Sequence, residues 1–194
     1  VSMNHELQIM LGIKDQIRPN VVNDLNRLKK MGVKNLILLS GDNQTTVELV
    51  ANELSLTEAH GNMLPEDKAH FIEQLKNKGE IVAFVGDGVN DSPSIALAHI
   101  GIAMGSGTDV AIETSNVVLM NSDFSRLVHA LGLTKATTSN MIQNIVIALG
   151  VVLFLLFNVF FSEWMNMSIG MLVHEASILV VILNGMRLLK YKLK

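Results

Sequence analysis

Residues 86–91 read Gly-Asp-Gly-Val-Asn-Asp; they follow the apolar run Ile-Val-Ala-Phe-Val at 81–85 and precede Ser-Pro at 92–93. An apolar, β-branched run that ends in glycines is typical of a buried parallel strand opening into a loop at its carboxyl end. Ligands bind at that edge of open α/β sheets. The glycines let backbone pass close to a charged group, while Asp87 and Asp91 offer hard oxygen ligands that suit Mg²⁺ beside phosphate. An Asp-Gly pair alone favours a tight turn with a helix cap, but this density of carboxylates and glycines favours a binding site.

Composition narrows the class of protein. Of 194 residues, 49% are hydrophobic and the mean hydropathy is +0.37, and the apolar excess lies after Asn140. The net charge of -3 and pI near 6.1 argue against a nucleic-acid partner, which would favour a basic face. The chain has no cysteine, which excludes disulfides, thiolate metal sites and cysteine nucleophiles. Val1 is no natural start and no signal peptide follows it, so we expect a piece of a longer protein.

The first part of the chain alternates strand and helix patterns, as a parallel sheet covered by helices on both faces does. Pro19 suits the first position of the first helix, because its missing N–H would have no partner there. Helices are expected at residues 20–31, 45–54, 65–78, 92–98 and 109–114, and strands at 7–13, 34–39, 81–85, 100–104 and 117–120.

The character of the sequence changes near Ser122 and Asp123, which favour a helix cap before Phe124. Residues 142–161 are almost uncharged and long enough to span a bilayer, and a second apolar stretch covers 167–189. Basic residues flank the outer ends of this pair, whereas the link between them carries only an acidic charge, at Glu163. The pattern predicts a transmembrane hairpin with both ends in the cytoplasm. The alternative is a buried helical hairpin in a large soluble protein.

Four motifs occur in order along the chain, at predicted strand ends and helix starts. They are Asp15-Gln16-Ile17-Arg18-Pro19, Ser40-Gly41-Asp42-Asn43, Pro65-Glu66-Asp67-Lys68 and Gly86-Asp87-Gly88-Val89-Asn90-Asp91-Ser92-Pro93. With the hairpin, they closely resemble the C-terminal part of the heavy-metal-transporting P-type ATPases, in the cobalt, zinc and cadmium subgroup. The resemblance implies an α/β domain with a haloacid dehalogenase-like, Rossmann-like parallel sheet over 1–121, and a long helix with a two-span transmembrane hairpin over 122–194.

The resemblance also implies roles for residues of the α/β domain. Ser40 matches a threonine that hydrogen-bonds the transferred phosphoryl group, and serine keeps the hydroxyl. Lys68 matches a lysine that neutralises that group as a point charge. Asp87 and Asp91 match the pair that holds Mg²⁺. The resemblance implies three further catalytic positions: Gly41, Asn90 and Asp42. Asn90 would support the phosphate, and Asp42 resembles a position near the nucleotide. For Asp42 an ordinary cap or turn is an equal alternative.

The second apolar stretch contains ionisable residues, which are costly inside a membrane and are by default a functional hypothesis. Residues 174–178, His-Glu-Ala-Ser-Ile, are similar to the His-Glu-Gly-Ser-Thr of the same subgroup. We expect His174, Glu175 and Ser177 to bind the transported metal. At helical spacing, Ser177 and Asn184 lie on the same face as His174. Glu175 lies about 100° around the helix axis from His174. The alternative is a His-Glu pair that only ties helices together.

The family nucleophile, an aspartate in an Asp-Lys-Thr-Gly-Thr stretch, is not in this sequence. The resemblance therefore implies part of an ATP-driven exporter of a divalent metal such as Cd, Zn or Co, using ATP as substrate and Mg²⁺ as cofactor. Its partners would be the nucleotide-binding domain, the actuator domain and the other membrane spans, in a bilayer that the resemblance implies is the bacterial plasma membrane. Two alternatives stay open: an inactive or regulatory fragment that binds a full-length transporter, and a membrane-tethered phosphatase of the same fold.

Overall fold

The computed structural model describes residues 2–3, 6–7, 16–86, 89–105, 109–119, 123–161 and 166–191. The chain divides into two compact units, Val1–Ser125 and Arg126–Lys194. The predicted strand at 7–13 and the Asp15 motif position lie mostly outside the described residues, as do Asp87, Gly88, Ser122 and Glu163.

The first unit is built from short parallel strands that alternate with helices, which confirms the predicted α/β class. The strands are β1 Ser2–Met3, β2 Glu6–Leu7, β3 Ile37–Leu39, β4 Glu58–His60, β5 Ala83–Gly86, β6 Ile100–Met104 and β7 Val117–Leu119. The helices are α1 Val21–Lys30, α2 Gln44–Glu53, α3 Pro65–Asn77, α4 Ser92–Leu97 and α5 Asp109–Thr114. Strand β3 pairs in parallel with β4, and β5, β6 and β7 form a parallel sheet in that order, while β1 and β2 pair antiparallel.

Helix α4 packs tightly on strand β6 at Gly101. A Cβ atom added there would collide with the carbonyl oxygen of Ile95 and lie 2.7 Å from the Ile95 Cγ2 atom. Ile95 and Ala103 are fully buried and pack with Phe84. The backbone of Gly101 is also held by Asn116, whose Oδ1 accepts from the Gly101 N–H at 2.8 Å. This close packing holds α4 at Ile95 against the sheet.

One local prediction was wrong, and one strand was not predicted. Helix α1 starts at Val21 after Asn20, which has a left-handed φ of 70°, so Pro19 lies outside the helix rather than at its first position. Strand β4 was not predicted, because Glu58-Ala59-His60 lacks the apolar alternation that indicates a strand. Strand β4 pairs in parallel with β3, with His60 opposite Leu39, and this pairing orders a segment whose own sequence carries no strand signal.

The second unit contains the two long helices that the apolar stretches predict. Helix α6 runs from Ser125 to Phe161, and α7 runs from Met167 to Met186 and continues as a 3₁₀ turn to Lys190. Asp123 caps α6, since its Oδ1 accepts from the Ser125 N–H at 3.0 Å. Both helices are long and apolar enough to cross a membrane, and none of their most apolar segments is buried in the structure. Their length and composition fit the predicted transmembrane hairpin.

Candidate functional site

The first turn of α3 points a lysine at the carboxyl end of β5. Pro65 occupies the first helical position, and the Asp67 carboxylate accepts from the Leu64 N–H at 2.9 Å, so proline and an acid together define the helix start. Lys68 follows in the same turn. Its ammonium Nζ donates to the Asp91 Oδ1 at 2.9 Å, across 23 residues of sequence.

The Lys68–Asp91 ion pair is largely withdrawn from solvent. The two side chains are 14% and 16% exposed, and the N–O distance is that of a charge-assisted hydrogen bond. The pair brings together the residue predicted to neutralise a phosphoryl group and one of the two predicted Mg²⁺ ligands. An oriented ion pair therefore lies at the sheet edge where the α/β fold places ligands.

Gly86 makes room for the Asp91 side chain. A Cβ atom added at Gly86 would lie 2.6 Å from the Asp91 Cβ and 2.9 Å from its Oδ2. Real Cβ atoms do not approach so closely, so only glycine fits at the end of β5. One carboxylate oxygen of Asp91 thus contacts Lys68, and the other lies against the end of the strand.

The Asp91 carboxylate suits Mg²⁺ in its chemistry, because its oxygens are the hard ligands that Mg²⁺ prefers. The space left by the missing side chain of Gly86 is filled by the Asp91 side chain itself. Asp87 lies outside the described residues. Asn90 falls in the 3₁₀ turn Val89–Asp91 and is exposed.

The end of β3 carries a second polar pair. The Ser40 Oγ donates to the Asp42 Oδ2 at 3.0 Å and accepts from the Asp42 N–H at 3.1 Å. Gly41 and Asp42 are exposed and Ser40 is half-buried. Hydrogen bonds from Asn62 and Met63 to the carbonyl oxygens of Asp42 and Ser40 hold this turn against the segment after β4. Within the described residues, no hydrogen bond joins the Ser40–Asp42 pair to the Lys68–Asp91 pair.

Gln44 braces this turn, and sequence reasoning did not find it. Its side chain accepts from the Gly61 N–H at 2.5 Å and donates to the Ala59 carbonyl oxygen at 3.2 Å, which ties the start of α2 to β4. A Cβ atom at Gly61 would lie 2.6 Å from the Gln44 Cα. Asn43 caps α2, because its Oδ1 accepts from the Thr45 N–H at 2.8 Å. The position of Gln44 directly after this cap was the sequence feature that could have pointed to it.

In the second unit the predicted metal ligands lie on α7. His174 and Glu175 are exposed, and Ser177 is half-buried with its Oγ donating to the His174 carbonyl oxygen at 2.6 Å. Ser177 and Asn184 lie on the half-buried face of α7, whereas His174 is exposed. The helical spacing had predicted one face for all three residues, but His174 lies on a neighbouring face. No group of three or more His, Asp or Glu side chains comes together in the part of the chain that the structure describes.

A family model for haloacid dehalogenase-like hydrolases matches residues 2–99. The chain therefore belongs to the haloacid dehalogenase-like hydrolase family, the class that its parallel strands and strand-end carboxylates indicate.

Similarity to whole proteins narrows the class to the metal-transporting ATPases and confirms the predicted resemblance. The chain is 39% identical over 190 residues to a zinc-transporting ATPase of Bacillus subtilis, covering 98% of this chain and 30% of that protein. It is 37% identical over 190 residues to a probable cadmium-transporting ATPase of Listeria monocytogenes, covering 97% of this chain and 27% of that protein. The chain thus spans less than a third of the length of these relatives.

A solved structure extends the similarity to three dimensions. The crystal structure of a zinc-transporting PIB-type ATPase in the E2.Pi state matches with a TM-score of 0.80 and 37% identity, covering 91% of this chain and 29% of that chain. This similarity and the two unburied apolar helices together identify a membrane protein.

Proposed function

We propose that this chain forms part of an ATP-driven exporter of a divalent heavy metal such as Zn²⁺, Cd²⁺ or Co²⁺. The observation that carries the proposal is the Lys68–Asp91 ion pair at the carboxyl end of β5, in a chain that continues into two apolar helices of spanning length. The names of the relatives support metal transport, and the α/β unit supplies the chemistry that would drive it.

The reaction would be phosphoryl transfer from ATP. An aspartate oxygen of an Asp-Lys-Thr-Gly-Thr segment, which this sequence lacks, would form a bond to the γ-phosphorus while the bond to the bridging oxygen of ADP breaks. Water would then hydrolyse the aspartyl phosphate to phosphate and free carboxylate. The transferred group carries its charge on its equatorial oxygens in both steps, so the task of this chain is electrostatic stabilisation.

Lys68 is placed to supply that stabilisation. Asp91 holds the ammonium group at 2.9 Å, so the lysine is oriented before a phosphoryl group arrives and little reorganisation is needed. The Ser40 hydroxyl would exchange its hydrogen bond to Asp42 for one to a phosphoryl oxygen, and Asn90 would donate from its amide. Asp91 and Asp87 would hold Mg²⁺, which when bound neutralises phosphate charge.

The membrane unit would supply part of the transport site. A neutral imidazole suits Zn²⁺, Cd²⁺ and Co²⁺, and a neighbouring carboxylate adds charge, so we assign His174 and Glu175 as ligands and Ser177 as a weaker contributor. Both side chains are exposed on α7, which leaves them open to ligands from further spans. Those spans, together with nucleotide-binding and actuator domains, would be the chain's partners in a bacterial plasma membrane, with the α/β unit in the cytoplasm.

The proposal is tested by transport in inside-out membrane vesicles that contain a full-length transporter carrying this chain. We expect ATP-dependent uptake of at least one of Zn²⁺, Cd²⁺ and Co²⁺, and loss of that uptake on Lys68→Ala. Vesicles that hydrolyse ATP but accumulate none of the three ions would contradict the proposal.

A further inference from the structure

Three asparagines join α6 to α7 in a closed ring of hydrogen bonds, which we call the amide ring: Asn140, Asn144 and Asn184. The Asn184 Nδ2 donates to the Asn144 Oδ1 at 2.8 Å, and the Asn144 Nδ2 donates to the Asn140 Oδ1 at 3.2 Å. The Asn140 Nδ2 closes the ring on the backbone oxygen of Asn184 at 2.8 Å. The ring links residues more than forty positions apart in sequence.

Two further side chains complete the hydrogen bonding of the ring. Arg187 donates from Nη1 to the Asn184 Oδ1 at 2.9 Å, and the Gln143 Oε1 accepts a longer bond from the Asn184 Nδ2 at 3.3 Å. Each of the three ring carboxamide oxygens therefore already accepts a hydrogen bond, and a guanidinium group lies beside them. The positive charge of Arg187 beside these oxygens opposes a cation there, and the hydrogen bonds of the ring join the two helices.

The ring specifies how the two helices face each other. Asn140 is buried, at 7% exposed, and Asn144 and Asn184 are half-buried. A polar group withdrawn from water is costly unless it is hydrogen-bonded, and a rotated helix would break the hydrogen bonds that these withdrawn amides make. Only one rotation of α7 about its axis satisfies the ring.

That rotation decides where the proposed metal ligands point. With about 100° per residue, Ser177 lies about 20° from Asn184, His174 about 80° and Glu175 about 180°. The exposures agree with these angles, since Ser177 is half-buried while His174 and Glu175 are exposed. The face of α7 that meets α6 is therefore separate from the face that carries the two ionisable groups.

We infer that the amide ring sets the rotation of α7 and thereby positions His174 and Glu175 away from α6, towards ligands supplied by other spans. Asn140, Asn144 and Asn184 are positioning residues in this account. The effect of this rotation on metal binding rests on the proposed function, whereas the rotation of α7 itself does not.

The rotation can be measured by disulfide cross-linking of the full 194-residue chain in phospholipid nanodiscs, because the chain has no cysteine of its own. Val151 lies seven residues after Asn144, and Ser177 lies seven before Asn184, so in an antiparallel hairpin the two are equally far along the chain from the Asn144–Asn184 hydrogen bond. Both lie on the half-buried stripe of their helix. We expect the pair Val151→Cys/Ser177→Cys to cross-link about tenfold faster than Val151→Cys/Glu175→Cys, because a disulfide needs close and correctly directed Cβ atoms. Adding Asn184→Leu should abolish this preference.

The functional arm uses the full-length transporter in the same lipid. We expect Asn184→Leu to raise the metal concentration for half-maximal ATPase stimulation about tenfold with little loss of maximal rate, because misplaced ligands weaken binding and leave the α/β unit intact. The matched control is Asn158→Leu, on the same half-buried stripe of α6, since among the described residues the Asn158 Nδ2 bonds only the Phe154 carbonyl oxygen of its own helix. If Asn184→Leu fails to accumulate, Asn184→Asp removes the donor to Asn144 and keeps the acceptor for Arg187.

An unchanged cross-linking preference in Asn184→Leu or Asn184→Asp would overturn the inference, and so would an equal shift in Asn158→Leu. Failure of the proposed function has a different signature. In that case His174→Ala would leave metal stimulation unchanged while the cross-linking preference still depended on Asn184.

Discussion

The Lys68 ammonium lies 2.9 Å from the Asp91 carboxylate, and this contact joins the first turn of α3 to the loop after β5. Neither partner is free in solvent, since their side chains are 14% and 16% exposed. The pair holds two elements of the fold together. We propose that it also orients the Lys68 ammonium at the phosphoryl site, and different experiments test these two roles.

The structural role is tested by Lys68→Met. Removing the ammonium leaves a mostly buried carboxylate without its partner, so we expect the α/β unit to lose about 1–3 kcal/mol of unfolding free energy. Hydrogen exchange at the amides of β5 and β6 reports this loss. Lys78→Met, at the exposed C-terminal end of the same helix, should change stability by less than about 0.5 kcal/mol. Equal protection in both variants would show that the ion pair contributes nothing to the fold.

Gly86→Ala tests the close approach of Asp91 to the strand end. The new Cβ would lie 2.6 Å from the Asp91 Cβ, so the side chain or the strand must shift, and we expect a loss of about 1–3 kcal/mol. Gly41→Ala is the matched control at the end of β3, because its Cβ would meet only the Met63 carbonyl oxygen at 3.4 Å. Unfolding of the two variants in urea would be compared, and a Gly86→Ala protein as stable as Gly41→Ala would contradict the packing described for this loop.

In a full-length transporter carrying this chain, Asp87→Asn should abolish Mg²⁺-dependent phosphorylation by ATP, since Mg²⁺ prefers carboxylate ligands beside phosphate. Formation of acid-stable phosphoenzyme at increasing Mg²⁺ is the measurement. Glu80→Gln removes an exposed carboxylate just before β5 and should leave labelling unchanged. Normal labelling of Asp87→Asn would remove residues 86–91 from the mechanism.

The 194-residue chain alone should form no phosphoenzyme. Charge and positioning without a nucleophilic aspartate give no covalent intermediate, and the sequence contains no Asp-Lys-Thr-Gly-Thr stretch. Purified chain would be incubated with [γ-³²P]ATP and Mg²⁺ and quenched in acid. Acid-stable label on the chain would be the contrary result, and would favour the alternative of a self-sufficient phosphatase of this fold.

The sequence predicted those parts of the structure that are encoded locally. The strand ending at Gly86, the helix opened by Pro65 and the two apolar helices all carry strong periodic or terminal signals, and each is observed within a few residues of its expected bounds. Strand β4 has no such signal because Glu58-Ala59-His60 is ordered by pairing with β3.

Contacts across long stretches of sequence could not be predicted in the same way. That Lys68 bonds Asp91 depends on how α3 packs against α4 and the 3₁₀ turn Val89–Asp91. The amide ring depends on the register of α6 against α7. Motif resemblance named Lys68 and Asp91 separately, but their ion pair is visible only in three dimensions. The amide ring has no motif at all, since isolated asparagines in apolar helices fit many arrangements.

We propose that α7 of this chain contributes ligands for a transported metal. The most direct measurement is metal-stimulated ATPase turnover and phosphorylation by inorganic phosphate, made on the same preparations of the full-length transporter with His174→Ala and with Glu175→Ala. We expect both variants to lose metal-stimulated turnover while phosphorylation by inorganic phosphate remains, because the site at Lys68 and Asp91 is unchanged. Loss of both reactions together would show that the two residues only tie helices together, and metal stimulation equal to that of the unmodified transporter would contradict the ligand role outright.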